Sequence, residues 1–136
     1  MTRSRINLTV DEELKIIIVR YFGEIEGDEI NTSMMHHLVN LDKPWAYDSI
    51  IDMRRYEGTV LATEIEELGM RWALLAQGRD QGQFTAIITD DALIRARLST
   101  TQSLFPHRTL KIFDYFDDGL EWLKTQRGYI QKALAS

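Results

Sequence analysis

The sequence predicts a single α/β domain, built on a five-stranded, mixed but mostly parallel sheet with four helices. Three observations predict this class. Two strand-like segments open the chain as a hairpin, strand-like and helix-like segments then alternate to its end, and no Pro-, Gly- or Ser-rich linker divides the 136 residues. Strands joined through helices run parallel, so the order β-β-α-β-α-β-α-β-α gives parallel strands after the hairpin. One core suits this length, and we therefore expect one domain over residues 1–136.

The hairpin and the first helix follow from the spacing of apolar residues. Residues 6–10 alternate apolar with polar side chains, which is typical of a half-buried strand. Residues 14–22 form a β-branched apolar run that predicts a more central strand, ended by Gly23. Over residues 28–41 the spacing becomes helical, with one apolar stripe formed by Ile30, Met34, Leu38 and Leu41.

The middle of the chain predicts a third strand and a second helix. Residues 47–54 form the strand, and Thr59 is the expected N-cap of a helix over residues 60–77. Gly78 suits the position just after the end of that helix. The apolar stripe of the helix comprises Leu61, Ile65, Leu68, Trp72, Leu75 and Ala76.

The last third of the chain adds two strands and two helices. Residues 84–89 and 109–113 are apolar and predict strands. Between them, Asp90 and Asp91 begin a third helix that extends to about residue 103. Asp114 is the expected cap of the last helix. The apolar face of that helix comprises Phe116, Leu120, Leu123, Ile130 and Leu134.

The composition excludes several classes of function. The chain has no cysteine, which excludes disulfides, thiolate catalysis and cysteine-based zinc sites. A net charge of −5 without a basic stripe argues against nucleic-acid binding. The longest apolar run, at residues 72–76, is too short to span a membrane. The first residues lack the apolar core of a signal peptide, so we expect a cytoplasmic protein.

The chain carries no catalytic motif, so we expect a non-enzymatic protein that needs no cofactor and no metal. It contains neither a phosphate-binding loop nor a nucleophile elbow. Aspartates follow several strands, at the sheet edge where ligands bind in α/β proteins, and their oxygens suit Mg²⁺. They are Asp52, Asp90, Asp91 and Asp114. Helix capping is the competing interpretation of the last three.

Two surfaces are candidates for binding. Asp52 and Arg54 share one face at the end of the third strand, with Arg55 on the other face, and an arginine pair there suits an anionic group. A surface ion pair is the alternative. The second and third helices also carry apolar residues away from their main stripes, namely Met70, Leu74, Ile94 and Leu98. Such residues mark an interface, here of an expected homodimer, or lie under neighbouring helices.

Three segments of the sequence carry a resemblance to a known family. They are FGEIEGDEI, YDSIIDMRRYEG and IFDYFDDGLEWL, which contain Gly23, Asp52, Phe113, Trp122 and Leu123. The chain resembles, over nearly its whole length, the STAS-like or SpoIIAA-like domains related to bacterial anti-sigma-factor antagonists. It looks closest to an uncharacterised bacterial subgroup whose fold is compared with the CRAL-TRIO lipid-binding domain.

The resemblance implies a SpoIIAA-like fold and a phosphorylation switch. The switch of the family is a serine in an Asp-Ser pair at the start of the second helix. Here the segment Tyr56-Glu57-Gly58-Thr59 has no such pair, and Thr59 occupies about that position. Thr59 is therefore the candidate modification site, with helix capping as its alternative role.

We therefore expect a binding or regulatory module that acts through protein–protein contacts. One alternative is a carrier or sensor of a lipid or another apolar small molecule. A second alternative is magnesium-dependent phosphate chemistry at the strand-end aspartates. The residues expected at the ligand or partner surface are Asp52, Arg54, Tyr56, Thr59, Met70, Leu74, Ile94 and Leu98.

Overall fold

The computed structural model describes residues 5–135, and side chains as far as residue 127. Within this part of the chain lie five strands and five α-helices, with one turn of 3₁₀ helix at Pro44–Ala46. The strands are β1 (Arg5–Asp11), β2 (Ile16–Gly23), β3 (Asp48–Tyr56), β4 (Gln83–Ile88) and β5 (Arg108–Phe113). The helices are α1 (Gly27–Val39), α2 (Ala62–Ala76), α3 (Ala92–Ala96), α4 (Leu98–Leu104) and α5 (Phe116–Ala135).

The strands form one mixed sheet in the order β1-β2-β3-β4-β5. β1 pairs antiparallel with β2 as a hairpin, and β2 through β5 are parallel. The predicted α/β class and the mixed, mostly parallel sheet are confirmed. Gly23 ends β2 with a φ of 74°, a left-handed conformation that costs glycine little and lets the chain turn toward α1.

The helices cover both faces of the sheet. On one face, α1 and α2 pack against the alternate residues Ile17, Val19 and Tyr21 of β2. On the other face, α5 covers a second core that contains Ile16, Ile50, Ala86, Ile88 and Leu123. Phe116 and Leu120 pack there as predicted, whereas the side chains of Ile130 and Leu134 lie outside the described residues.

The predicted start of the second helix is wrong. α2 begins at Ala62, not at Val60, so Thr59 is exposed in the preceding loop and does not cap the helix. The Glu64 carboxylate accepts the Leu61 N–H at 2.8 Å and satisfies this helix end instead.

The predicted third helix is two short helices, which meet at Arg97 and raise the helix count above the predicted four. The run Ser99-Thr100-Thr101 has weak helix propensity, which reduces the cost of the break. Asp91 caps α3 as predicted, because its Oδ1 accepts the Leu93 and Ile94 N–H groups. Asp114 caps no helix. α5 begins at Phe116, and Asp114 forms an ion pair with Arg95.

Candidate functional site

An apolar cavity of about 210 Å³ lies between the sheet and the layer formed by α1 to α4. Strand side chains form its floor, and helix side chains form its walls. An engineered apolar cavity of about 150 Å³ binds benzene, so this one has room for a small apolar ligand. The floor includes Val19, Ile51, Met53 and Ile87, and the walls include Met34, Leu68, Ile94 and Leu98.

α2 approaches the neighbouring helices α1 and α4 closely, one on each side of it. On one side, Asn31 of α1 donates from Nδ2 to the Glu64 carbonyl at 2.8 Å. On the other side, Gly69 lies so close to α4 that a Cβ there would stand 3.0 Å from the Leu104 carbonyl oxygen. These two contacts hold α2 at its edges and leave space between it and the strands below.

The cavity floor carries a few hydroxyl groups. Ser49 and Thr85 share a register position on β3 and β4, and their hydroxyls hydrogen-bond to each other at 2.8 Å. Tyr56 donates to the Ile25 carbonyl at 3.2 Å. The hydroxyl of buried Tyr21 has no hydrogen-bond partner among the described residues, and burial raises its pKa. Tyr21 can therefore donate to a polar atom of a bound ligand.

Arg108 lies at the end of the cavity nearest the start of β5. Its side chain is only 9% exposed, and burial lowers its pKa although Asp80 opposes that shift. Its Nη2 donates to the Tyr47 carbonyl at 2.9 Å. Asp80 is 3.5 Å from its Nε and accepts the Trp72 indole N–H at 2.8 Å. This network joins α2, the loop after it and β5 at the closed end of the cavity.

The mouth of the cavity lies at the carboxyl ends of β3 and β4. There Gly58–Val60 and the segment from Asp91 to Arg97 contribute lining residues that are partly exposed. Arg97 donates from Nη1 to the Val60 carbonyl at 2.9 Å and holds the two sides together. Ligands of α/β sheets commonly bind at this edge.

A separate polar cluster lies on the α5 face, at the ends of β2 and β3. Asp52 is buried and accepts three hydrogen bonds from Arg54: the backbone N–H at 3.2 Å, Nε at 2.9 Å and Nη2 at 2.8 Å. Arg20 Nε is 3.6 Å from the same carboxylate. Burial raises the pKa of Asp52, but these hydrogen bonds and charges outweigh it and hold the pKa below its usual value.

The predicted orientation of Arg55 is wrong. Arg20 pairs with Asp52 and Phe22 pairs with Arg55, so two residues of β3 lie opposite one residue of β2. This β-bulge brings Arg55 to the same face as Arg20, whereas strict alternation would place it opposite.

The structure divides the predicted site residues among three locations. Asp52 and Arg54 lie in the polar cluster. Tyr56, Thr59, Ile94 and Leu98 line the cavity. Met70 and Leu74 lie on the outer surface of α2, where they are 64% and 77% exposed. Ile94 and Leu98 therefore do not share a surface with Leu74.

The strand-end aspartates do not form one site. Asp52 pairs with arginines, Asp91 caps α3 and Asp114 pairs with Arg95. Among the described residues, no three His, Asp or Glu side chains are grouped so that they could hold a metal ion. Nor is any helix in residues 5–135 both long and apolar enough to span a bilayer.

Several cavity residues did not emerge from the sequence. Tyr21, Arg97 and Arg108 sit in segments whose periodicity fits ordinary strands and helices. A usable signal was the pair Ser49 and Thr85, because a small polar residue interrupts each of two neighbouring apolar strands.

Comparison with known proteins places the fold. No protein-family model and no curated protein matches the chain. Among solved structures, the chain is similar to an uncharacterized protein of the DUF3478 family from Shewanella loihica PV-4, described as having a SpoIIAA-like fold. The similarity covers 90% of this chain and 95% of that one, with 14% sequence identity and a TM-score of 0.57. The fold of this chain is therefore SpoIIAA-like.

Proposed function

We propose that this protein binds a small apolar or amphipathic molecule in the cavity beneath α2, as a carrier or sensor. One observation carries the proposal: the space between α2 and the sheet is about 210 Å³, and the surface that faces it is mainly apolar. Interiors of proteins are otherwise closely packed, and an unfilled apolar space sacrifices dispersion contacts. A ligand that fills it restores those contacts and stabilises the folded state.

The shape of the cavity favours an extended ligand. Its lining includes Ser49 near the start of β3 and Tyr56 at the end of that strand. Seven steps at a strand's rise correspond to roughly 23 Å, which is long enough for an extended alkyl chain. The polar groups are few, which matches the general pattern of an apolar pocket with a small number of orienting donors. Tyr21 inside the cavity and Arg97 at its mouth are such donors.

A substitution that fills the cavity tests the proposal. Thr101 of α4 lines the cavity, and its side chain makes no hydrogen bond with the described residues. We expect Thr101→Phe to occupy part of the cavity and to weaken binding of decanoic acid or decanol by at least about tenfold, or roughly 1.4 kcal/mol. Two-dimensional NMR titration of labelled protein, followed at the Thr85, Ile94 and Leu98 amides, measures this affinity.

The matched control is Thr100→Phe, which adds the same ring one residue earlier on the exposed side of α4. It should bind both probes as the unsubstituted protein does. If neither probe shifts the cavity amides, or if both variants bind equally well, the cavity is not a ligand site.

Protein–protein contact is the second candidate function, and we propose a second copy of this chain as the partner. The supporting observation is the outer face of α2, where Met70 and Leu74 are 64% and 77% exposed. Large apolar side chains grouped on one exposed helix face are typical of interaction surfaces.

Leu74→Asp tests this second candidate. A charge in the centre of an apolar interface should shift a dimer to monomer while the fold is retained, because an unpaired charge is costly to bury. Light scattering after size exclusion measures the mass, and circular dichroism measures the fold. Tyr115→Asp places the same charge at a 68% exposed residue before α5 and should leave the mass unchanged. A monomeric unsubstituted protein, or a Leu74→Asp variant that stays dimeric, excludes this interface.

A further inference from the structure

A concentration of arginines marks the α5 face of the sheet, opposite the cavity. Arg20, Arg54 and Arg55 line an open depression of about 400 Å³ at the carboxyl ends of β2 and β3, together with Phe22 and Asp52. The whole protein carries a net charge of −5, so this cluster of three arginines contrasts with the acidic character of the chain.

The β-bulge in β3 assembles this group. Without the extra residue, Arg55 would point toward the helices that cover the cavity. With it, Arg55 lies opposite Phe22 and its guanidinium is 6.0 Å from the Phe22 ring. Bulges are common where a strand re-aims a side chain beside a functional site.

Asp52 and Phe116 orient two of the guanidinium groups. Arg54 donates from Nε and Nη2 to the two carboxylate oxygens of Asp52, at 2.9 and 2.8 Å. This bidentate contact fixes the plane of the guanidinium. Arg20 and Arg54 also lie over the Phe116 ring, at 5.3 and 5.7 Å from its centroid. A bound anion would therefore meet donors that have already lost much of their side-chain entropy.

The depression holds more positive than negative charge. Among the described residues that line it, Asp52 is the one carboxylate, and it is already engaged by Arg54. Arg20 reaches that carboxylate only at 3.6 Å, and Arg55 forms no ion pair or hydrogen bond with the described side chains. The pKa of Arg54 is raised chiefly by its hydrogen bond to Asp52, and the charge of Asp117 adds to this. The negative charge of Asp117 offsets part of this excess positive charge. Arg20 and Arg55 still lack a full counterion among the described residues.

We propose that this depression binds a phosphate monoester, with Arg20 and Arg55 as its principal ligands. The planar donors of arginine match the oxygens of a phosphate, and a monoester carries close to two negative charges above its second pKa of about 6. The phosphate can belong to a soluble metabolite or to a lipid headgroup, since the recognition chemistry is the same.

Calorimetric titration at pH 8 with glycerol 3-phosphate tests for the soluble form. Co-sedimentation with phosphatidylcholine vesicles, with and without phosphatidic acid, tests for the headgroup. We expect Arg20→Gln and Arg55→Gln each to weaken binding at least about fivefold, near 1 kcal/mol. Arg71→Gln, which removes an equal charge from an ion pair on α2, should leave binding unchanged.

If either probe binds and both variants weaken that binding, the site is supported. The probe that binds identifies the source of the phosphate. Absence of binding to both probes overturns it, as does an equal loss in Arg71→Gln. Because the depression and the cavity lie on opposite faces of the sheet, Thr101→Phe should not change phosphate binding, and the two proposals fail independently.

Discussion

Asp52 is a buried carboxylate that is stabilised in its charged form by two arginines. Arg54 lies on the same strand, and Arg20 lies on the neighbouring strand β2. The hydrogen bonds from Arg54 and the charge of Arg20 keep its pKa below the usual value, against the effect of burial. A carboxyl with a lowered pKa in the folded state stabilises the fold above its unfolded pKa of about 3.9. That contribution is lost as the pH falls through the folded value.

The pH dependence of an Asp52→Asn variant measures this contribution. At pH 7 we expect a loss of about 1–3 kcal/mol in the free energy of unfolding, since the substitution removes the charge of a buried carboxylate that accepts hydrogen bonds from Arg54. The difference from the unsubstituted protein should shrink below about pH 4, where Asp52 of the unfolded state becomes protonated, and should vanish as the pH falls through the lower folded pKa. Urea unfolding at pH 7, 5 and 3 measures both quantities.

Asp42→Asn provides the control, because Asp42 is exposed and forms no hydrogen bond or ion pair with the described residues. Its effect should stay within about 0.5 kcal/mol at every pH. A constant difference for Asp52→Asn between pH 7 and pH 3 would contradict the assignment of the lowered pKa to this carboxyl.

The packing of α5 on the sheet depends on a glycine. A Cβ at Gly119 would stand 2.7 Å from Ile88 Cδ1 and 3.2 Å from the Ala86 Cβ, so a larger residue requires the side chains of β4 or the helix to shift. The Ile88 side chain is fully buried, and the Ala86 Cβ has no rotamer by which to move away.

Gly119→Ala should therefore destabilise the protein, although alanine is the better helix former. The gain in propensity is about 1 kcal/mol, whereas overpacking a buried contact costs about 1–3 kcal/mol. We expect a lower midpoint in thermal unfolding. Thr125→Ala, at an exposed position of the same helix, has the propensity gain without the clash and should raise the midpoint. A Gly119→Ala variant more stable than the unsubstituted protein would disprove the close contact.

At the scale of elements, the sequence was most informative about the strands. Each predicted strand lies within about two residues of an observed one, because β-branched runs and alternation report directly on burial. The helix boundaries were harder. Thr59 looks like a cap, yet the N-cap residue is Leu61, whose N–H is satisfied by Glu64 from inside the helix. The third helix breaks at Arg97, whose side chain donates to the carbonyl of Val60, far away in the chain, and local propensity does not reveal this contact.

At the scale of the whole molecule, the order of elements was predictable but the spacing between layers was not. Periodicity shows which face of α2 is apolar, and it does not show how far that face lies from the strands. The contacts of α2 with its neighbouring helices, such as Asn31 with Glu64 and Gly69 with Leu104, join residues distant in the sequence. The same limit applies to Arg55, whose face is decided by a bulge that alternation cannot anticipate.

Native mass spectrometry of the purified protein, beside a denatured sample, tests whether the cavity holds a small molecule. We predict a ligand-sized mass on the native protein, as purified or after incubation with decanoic acid, that is absent after denaturation and from the Thr101→Phe variant. A folded protein that carries no added mass under either condition would contradict the claim.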